Sequence, residues 1–219
     1  MSNGPNARPI DTDATSTRRS ALEMLAVLLL GLATVATAWS GYQSSQWSGN
    51  ETTEARTATN QRIESSRLFS LASQKVAYDA NIVAQYAQAA ANQQTKLMEF
   101  IRANLVRPEF LPTLDAWEAA VKAGGGQAAN LFTNTDYLNA EFKPSKDAQA
   151  LGDAANLRSA DASRNSSDYV LVTLITATAL FFAGVTTSFK SPFARVLLLA
   201  IAGITLAYAA SRLVSLPVA

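Results

Sequence analysis

The chain of 219 residues contains no cysteine and no histidine. Their absence excludes disulfide bonds, thiol nucleophiles, metal sites built from Cys and His, and acid–base catalysis by imidazole. We therefore expect the protein not to be an enzyme, and to bind neither a metal nor a cofactor.

Charge is also scarce. Only 16% of the residues are charged, whereas a soluble domain carries about 25%. The net charge of +1 excludes the strong basic excess that is typical of nucleic-acid-binding proteins. The hydrophobic fraction is 48% and the mean hydropathy +0.06, which is high for a chain so rich in Ala, Ser, Thr, Asn and Gln. This combination indicates apolar residues gathered in blocks, as in a membrane protein.

Three apolar blocks are present, at residues 21–41, 169–188 and 192–210. Their only charges are Glu23 and Arg195, each near the start of its block. Each block has about the 20 residues that a bilayer-spanning helix needs. The sequence therefore predicts an all-α integral membrane protein with three transmembrane helices and an elongated extramembrane helical bundle, with the lipid bilayer as its first partner.

The first block is also compatible with a cleaved signal peptide. Arg18 and Arg19 precede it, and the sequence Ala36-Thr37-Ala38 fits a cleavage site between small residues. Against cleavage, the leading segment is long and contains Asp11 and Asp13. We expect the helix to be retained; sequencing the mature N-terminus would decide between the two.

Charge in the short connections predicts the orientation, because loops rich in Lys and Arg stay in the cytoplasm. The cations before the first block and around the hairpin between the second and third lie on one side of the membrane if all three blocks cross it. They are Arg8, Arg18, Arg19, Lys190 and Arg195. We expect the N-terminus and the hairpin in the cytoplasm, and residues 42–168 and the C-terminus outside.

The middle region has a helical pattern. Apolar and small residues recur every three or four positions, at 69, 72, 76, 80, 83, 87, 90, 94, 97 and 101, with Gln94 as the polar exception. No Gly or Pro interrupts residues 50–107, so one long helix over about residues 50–106 is predicted. Pro108 and Pro112 end it.

Shorter elements are predicted to lead back to the second span. Short helices are expected within residues 113–142, the first capped by Thr113 and stopped by the glycines at 124–126. A return helix over residues 145–167 begins at Ser145. The first 20 residues are polar and predicted to be disordered in the cytoplasm, and residues 211–219 form a short tail.

Two sets of side chains in the middle region are candidate sites. Phe110, Leu111 and Trp117 form a small apolar group, which is either the distal core of the bundle or a docking spot for a partner. The carboxylates of residues 109, 115 and 118 are close in sequence and could act as acid and base in hydrolysis. Solvated positions around a helix start explain them more simply, because acidic residues suit a helix N-terminus.

Hydroxyl groups in the spans are a third candidate. Thr173, Thr176 and Thr205 are predicted intramembrane polar contacts. A threonine in a membrane helix bonds to a carbonyl of the preceding turn or joins two helices. The alternative is a hydroxyl-lined pore, which usually needs a ring of charges or carbonyls as well.

Several motifs resemble those of a family of uncharacterised bacterial membrane proteins with an N-terminal span, a long helical middle region and a C-terminal transmembrane hairpin. They are ATAWSGYQ at 36–43 with QWSG at 46–49, RPEF at 107–110 with AW at 116–117, and SDYVL at 167–171 with LFFAG at 180–184. The resemblance implies the layout, a bacterial source and the inner membrane. No activity is assigned to that family, so it implies no functional residue.

These observations favour a non-enzymatic scaffold, or a sensor or interaction protein, with a periplasmic helical bundle. An oligomeric channel or motor-channel subunit is the alternative, since one span, a helical middle and two further spans is also the layout of proton-channel subunits. Because three spans form a thin bundle, we expect a homo-oligomer or a membrane-protein partner, and no nucleic acid.

Overall fold

A computed structural model describes the backbone of residues 12–124, 135–189 and 191–219, and the side chains of these residues except 12–20 and Thr187. Within these ranges the fold is all-helical, without strands, as the sequence predicts. The helices are α1 (Thr12–Ala91), α2 (Thr95–Asn104), α3 (Leu111–Lys122), α4 (Thr135–Val185) and α5 (Pro192–Ser215). Two 3₁₀ turns, Pro108–Phe110 and Thr186–Ser188, precede α3 and follow α4.

The described chain divides into two compact units. The first unit comprises residues 12–53 and 158–219, and the second comprises residues 54–157. Helices α1, α4 and α5 are each long and apolar enough to cross a membrane. The prediction of three helices of this kind is confirmed.

In the first unit, α1 and α4 are joined through small polar side chains. The Thr37 hydroxyl donates a 2.8 Å hydrogen bond to that of Thr176, and the hydroxyls of Ser44 and Ser166 lie 3.2 Å apart. Large apolar side chains on the same helices are exposed instead of packed in this contact. Examples are Met24, Val27, Val35, Leu174 and Phe181.

The helix α1 starts earlier than the sequence suggests. Its backbone is helical from Thr12, whereas the polar composition predicts disorder over residues 1–20. The last proline before this point is Pro9, so nothing between Thr12 and the first apolar block interrupts helical hydrogen bonding. Residues 1–11 lie outside the described part of the chain.

The helix α1 also ends earlier, so the prediction of one helix over residues 50–106 is wrong. Gln93 adopts a left-handed conformation with φ 54°. Its backbone N–H donates to the carbonyl of Ala90 at 3.1 Å, and that of Gln94 donates to the carbonyl of Ala89 at 2.9 Å. This pair of bonds is the Schellman motif that terminates helices. Glycine is the usual residue at this left-handed position. Because the residue here is glutamine, the sequence gives no signal that the helix ends.

The predicted caps of the following helices are also wrong. Thr113 lies inside α3, which begins at Leu111 directly after the 3₁₀ turn. Ser145 lies inside α4, and its hydroxyl donates back to the carbonyl of Phe142 at 2.8 Å. The return helix and the second span are therefore one helix that runs through Pro144. Of the three glycines predicted to stop α3, Gly124 follows its end with φ 83°, while residues 125 and 126 lie outside the described residues, as does Lys190.

The second unit has an apolar core built from α1, α2, α3, α4 and the turn before α3. Its buried members are Ile82, Tyr86, Ala89, Ile101, Phe110, Leu114 and Tyr137. The buried face of α1 here is centred on residues 79, 82, 86 and 89, not on the predicted stripe at 76, 80, 83, 87 and 90. Two members of the predicted stripe, Phe69 and Leu97, are 56% and 44% exposed. Two other members, Ala72 and Ile101, are buried, so the pattern identifies a helix but only part of its buried face.

Helices α1 and α4 approach each other at a regular spacing within each unit. In the first unit the contacts are Ser44 with Ser166 and the carbonyl of Glu51 with Ser159. In the second unit they are the carbonyl of Ala58 with Gly152 and Ser65 with the carbonyl of Ser145. In both units the contact residue advances by seven along α1 and falls by seven along α4. The two helices are therefore antiparallel within each unit, and their contacts are seven residues apart.

Candidate functional sites

Two of the three carboxylates that the sequence offers as acid and base, Asp115 and Glu118, are engaged in ion pairs. Arg102 bonds to Asp115 through Nη2 and to Glu118 through Nη1, the latter at 3.2 Å. The hydroxyl of Tyr86 donates to the same Glu118 oxygen at 2.5 Å. Glu109 lies on the exposed side of the 3₁₀ turn. The structure therefore brings Asp115 and Glu118 together around the guanidinium of Arg102. The bonds to Arg102 join α3 to α2, and the bond from Tyr86 joins α3 to α1.

These contacts shift the pKa of two groups. Burial, with a smaller effect of the hydrogen bond to Glu118, raises the pKa of the Tyr86 phenol to about 12. The hydrogen bond to Asp115 is the main reason why the pKa of Arg102 is raised. Both groups keep their ordinary protonation state at neutral pH, so the cluster acts as a fixed set of donors and acceptors.

A second, more buried ion-pair cluster is not evident from the sequence. Arg107 bonds to Asp79 through Nε at 3.0 Å and through Nη2 at 2.5 Å. The same Nη2 lies 2.7 Å from Glu141, and the hydroxyl of Tyr137 donates to Asp79 at 2.6 Å. Lys75 stands 3.7 Å from the other Glu141 oxygen. Three chain segments, α1, the turn before α3 and α4, therefore meet at one set of charges.

Burial makes this cluster energetically sensitive. Asp79 is 1% exposed, and the side chains of Arg107 and Glu141 are 18% and 12% exposed. The hydrogen bond to Asp79 is the main reason why the pKa of Arg107 is raised. Burial, followed by the bond to Asp79, raises the pKa of Tyr137. A buried ion pair of this kind is costly to break, because the remaining charge has no partner.

Among the described side chains, those of residues 21–124, 135–186, 188–189 and 191–219, no group of three or more acidic residues is placed to hold a metal ion. Asp79 and Glu141 share a guanidinium instead, which occupies the position where a cation would lie. The cluster is therefore built to fix the fold of the second unit.

The apolar group at Phe110, Leu111 and Trp117 belongs mainly to the core. Phe110 is fully buried, with its ring 5.2 Å from that of Tyr137. Trp117 is half-buried, packs against the core and stands edge-on to Tyr86 at 6.5 Å. Leu111 is half-buried at the start of α3. Of the two interpretations of this group, the distal core is the one that these contacts favour.

The three threonines singled out in the spans bond to their own helix. Thr173 donates to the carbonyl of Tyr169 at 2.9 Å, and Thr205 donates to that of Ile201 at 2.7 Å. Thr176 is fully buried, lies 3.0 Å from the carbonyl of Val172 and accepts the bond from Thr37. Thr176 is therefore the one of the three that also joins two helices.

Ion pairs occur at both ends of the spans. At one end Arg195 lies 3.7 Å from Glu23, and its Nε donates to the carbonyl of Phe189 at 2.6 Å. At the other end Arg212 lies 3.7 Å from Asp168. Charges at these positions suit the polar boundary of a bilayer, where long side chains reach water.

Comparison of the chain with protein-family models, with curated proteins and with solved structures finds no match. The resemblance to a family of three-span bacterial proteins therefore stays a prediction. The functional assignment rests on the geometry of the two units.

Proposed function

We propose that the protein is a three-span bacterial inner-membrane protein that acts as a non-enzymatic scaffold or interaction protein. In this proposal the unit of residues 54–157 is the extracytoplasmic helical bundle that meets partners. The observation that carries the proposal is a contrast between the two units. The first exposes large apolar side chains along all three of its helices, whereas the second has a buried apolar core flanked by ion pairs.

The surface of the first unit supports insertion in a bilayer. Large apolar side chains are exposed on all three helices that are long enough to span. Besides those already named, they include Leu28, Val170, Val196, Leu197 and Ile204. In water such a surface is unfavourable by about 25 cal/mol per Å² of apolar area. Lipid removes this cost, while the hydroxyls between α1 and α4 bond to each other and to carbonyls.

The second unit supports a structural role. Its carboxylates at 79, 115, 118 and 141 are each bonded to an arginine, so they are not presented as a free acid and base. The seven-residue spacing of the contacts between α1 and α4 supports an antiparallel coiled coil. A rigid helical frame of this kind suits the positioning of partners.

The channel alternative has weaker support. A pore would use the span hydroxyls to face water, whereas Thr176 is fully buried and bonded to Thr37. Thr173 and Thr205 are bonded to their own helices. These contacts support helix packing as the role of the hydroxyls.

The proposal extends to orientation and assembly. The cations around the hairpin and before the first span favour a cytoplasmic N-terminus and an outside location of residues 54–157. The broad apolar exposure of a bundle with only three spans favours self-association or a membrane-protein partner. The shared motifs favour membership of the family of three-span bacterial proteins.

Photo-crosslinking in intact membranes tests the interaction role. A benzoylphenylalanine replaces Phe100, which is 55% exposed on α2, and in a matched control it replaces Phe181, which is 62% exposed in the candidate span of α4. We expect a discrete protein adduct from position 100, and mainly lipid adducts from position 181. Two differently tagged copies distinguish self-association from another partner. The absence of a protein adduct from position 100, and equally from positions 97 and 121, contradicts the proposal.

A further inference from the structure

The segment after α5 lies against the other two helices of the first unit. α5 ends at Ser215, and Leu216 turns the chain into an extended conformation with φ −84° and ψ 142°. The carbonyl of Pro217 accepts two hydrogen bonds, from the indole N–H of Trp47 and from the hydroxyl of Tyr169, each at 3.1 Å. The backbone N–H of Ala219 donates to the side-chain oxygen of Gln43 at 3.0 Å.

The three groups that hold this segment belong to α1 and α4 and are positioned by those helices. Gln43 and Trp47 are four residues apart on α1 and share a face. Tyr169 is fully buried and Gln43 is 2% exposed. The bond between Ser44 and Ser166 fixes α1 against α4 beside them. The three groups therefore lie on two helices that are joined by a contact of their own.

The chemistry of the contacts is that of peptide recognition. Proline has no backbone N–H, so the carbonyl is the backbone group that Pro217 offers for hydrogen bonding. Two ring donors converge on this carbonyl, as in aromatic-lined sites that bind extended proline-containing peptides. Val218 is 65% exposed, and the backbone N–H of Ala219, the residue after it, donates to Gln43. The contacts therefore bind the carbonyl of the proline and the backbone N–H two residues later.

We propose that Gln43, Trp47 and Tyr169 form a binding site for an extended peptide with the pattern Pro-x-x, and that Leu216–Ala219 occupies this site within the same chain. A segment of the same chemistry from outside has to displace the internal one. This inference goes beyond the scaffold role, which concerns residues 54–157. Peptide binding to the first unit is measured separately and does not depend on the partner of those residues.

A peptide added from outside tests the site. The protein lacking residues 216–219 and the full chain are placed in lipid nanodiscs and titrated with a fluorescein-labelled peptide of residues 213–219, LVSLPVA. We expect the shortened protein to bind at least tenfold more tightly than the full chain, and a scrambled peptide not to bind. Equal binding to both proteins, or no binding to a shortened protein with unchanged helical content, overturns the proposal.

A matched pair of tryptophan variants assigns the binding to the site. In the shortened protein, Trp47→Phe removes the indole donor and keeps an aromatic ring, so the affinity falls at least threefold. Trp39→Phe is the control, because Trp39 is 44% exposed and its ring contacts Tyr42 on the same helix at 6.1 Å. An equal effect of the two variants overturns the assignment.

A measurement on the full chain tests the proposal even if the shortened protein fails to fold. The chain has no cysteine, so Val218→Cys carries a single spin label. We expect a broad spectrum from the held segment, and a narrow one after Trp47→Phe is combined with Gln43→Leu. A spectrum that does not narrow contradicts the proposal, as does equal narrowing with Trp39→Phe.

Discussion

Arg107 and Asp79 form a two-point ion pair inside the second unit, with Nε 3.0 Å from one carboxylate oxygen and Nη2 2.5 Å from the other. The pair joins the turn before α3 to the middle of α1. Because Arg107 also contacts Glu141 on α4, one side chain fixes three segments.

Replacing Arg107 tests this role. Arg107→Met leaves the buried Asp79 without its cation, and breaking a buried pair in this way costs about 3–5 kcal/mol. We expect a loss of this size in the free energy of unfolding of the full chain in detergent, followed by circular dichroism. Arg67→Met is the control, since Arg67 is 61% exposed and pairs with Glu64 on the same helix, where water screens the pair and its loss has little effect on stability. Similar losses for both variants contradict the role of the cluster.

Gly152 lies where α4 approaches α1 closely in the second unit. A Cβ atom there would lie 3.3 Å from both the carbonyl of Ala58 and the Cβ of Gln61. Gly152→Leu is expected to destabilise the protein by at least about 2 kcal/mol, because the two helices must separate. Gly49 of α1 is the control. A Cβ atom there would meet no other atom within 4 Å, so Gly49→Leu is expected to be neutral or stabilising. Thermal unfolding of both variants checks the difference, and a tolerated Gly152→Leu refutes it.

Thr176 joins two of the candidate spans through the bond from Thr37. Thr176→Val keeps the shape and removes the hydroxyl, and interhelical bonds of this type contribute about 0.6 kcal/mol in membranes. The matched control is Thr178→Val, whose exposed hydroxyl bonds only to the carbonyl of Leu174 in the described contacts. We expect Thr176→Val to be the more destabilising in unfolding by SDS from mixed micelles. Equal effects would argue against packing as the role of this hydroxyl.

The raised pKa of Tyr86 predicts a loss of stability at alkaline pH. A phenol whose pKa rises from its unfolded value near 10 to about 12 in the fold stabilises the fold fully below pH 10. This contribution is lost as the pH rises through 12. The melting temperature measured from pH 8 to 12 is expected to fall above pH 10, and to fall less steeply for Tyr86→Phe. Parallel curves for the two proteins would show that this phenol does not contribute.

The helical class and the three apolar helices are predictable because each depends on local composition. The residues at which helices begin and end are harder to predict from the sequence. The break at Gln93 depends on a left-handed residue that is not glycine, and the continuity of α4 depends on a proline that a long, well-packed helix accommodates. Neither feature has a signal in a single sequence.

The ion-pair cluster is beyond sequence analysis for a related reason. Asp79 and Arg107 are 28 residues apart, and a single helix from 50 to 106 would place them far from each other. Only the turn at Gln93 reverses the chain and brings them together. The stripe of small residues also gives no indication that Asp79 is buried, because it places the buried face of α1 at position 80, one residue after Asp79.

Topology mapping tests the central claim most directly. Alkaline phosphatase, which is active only outside the cytoplasm, and green fluorescent protein, which fluoresces inside it, are fused in turn at residue 130 and at residue 190. The account predicts phosphatase activity from the first position and fluorescence from the second. Fluorescence at residue 130 would place the helical unit in the cytoplasm and contradict the account.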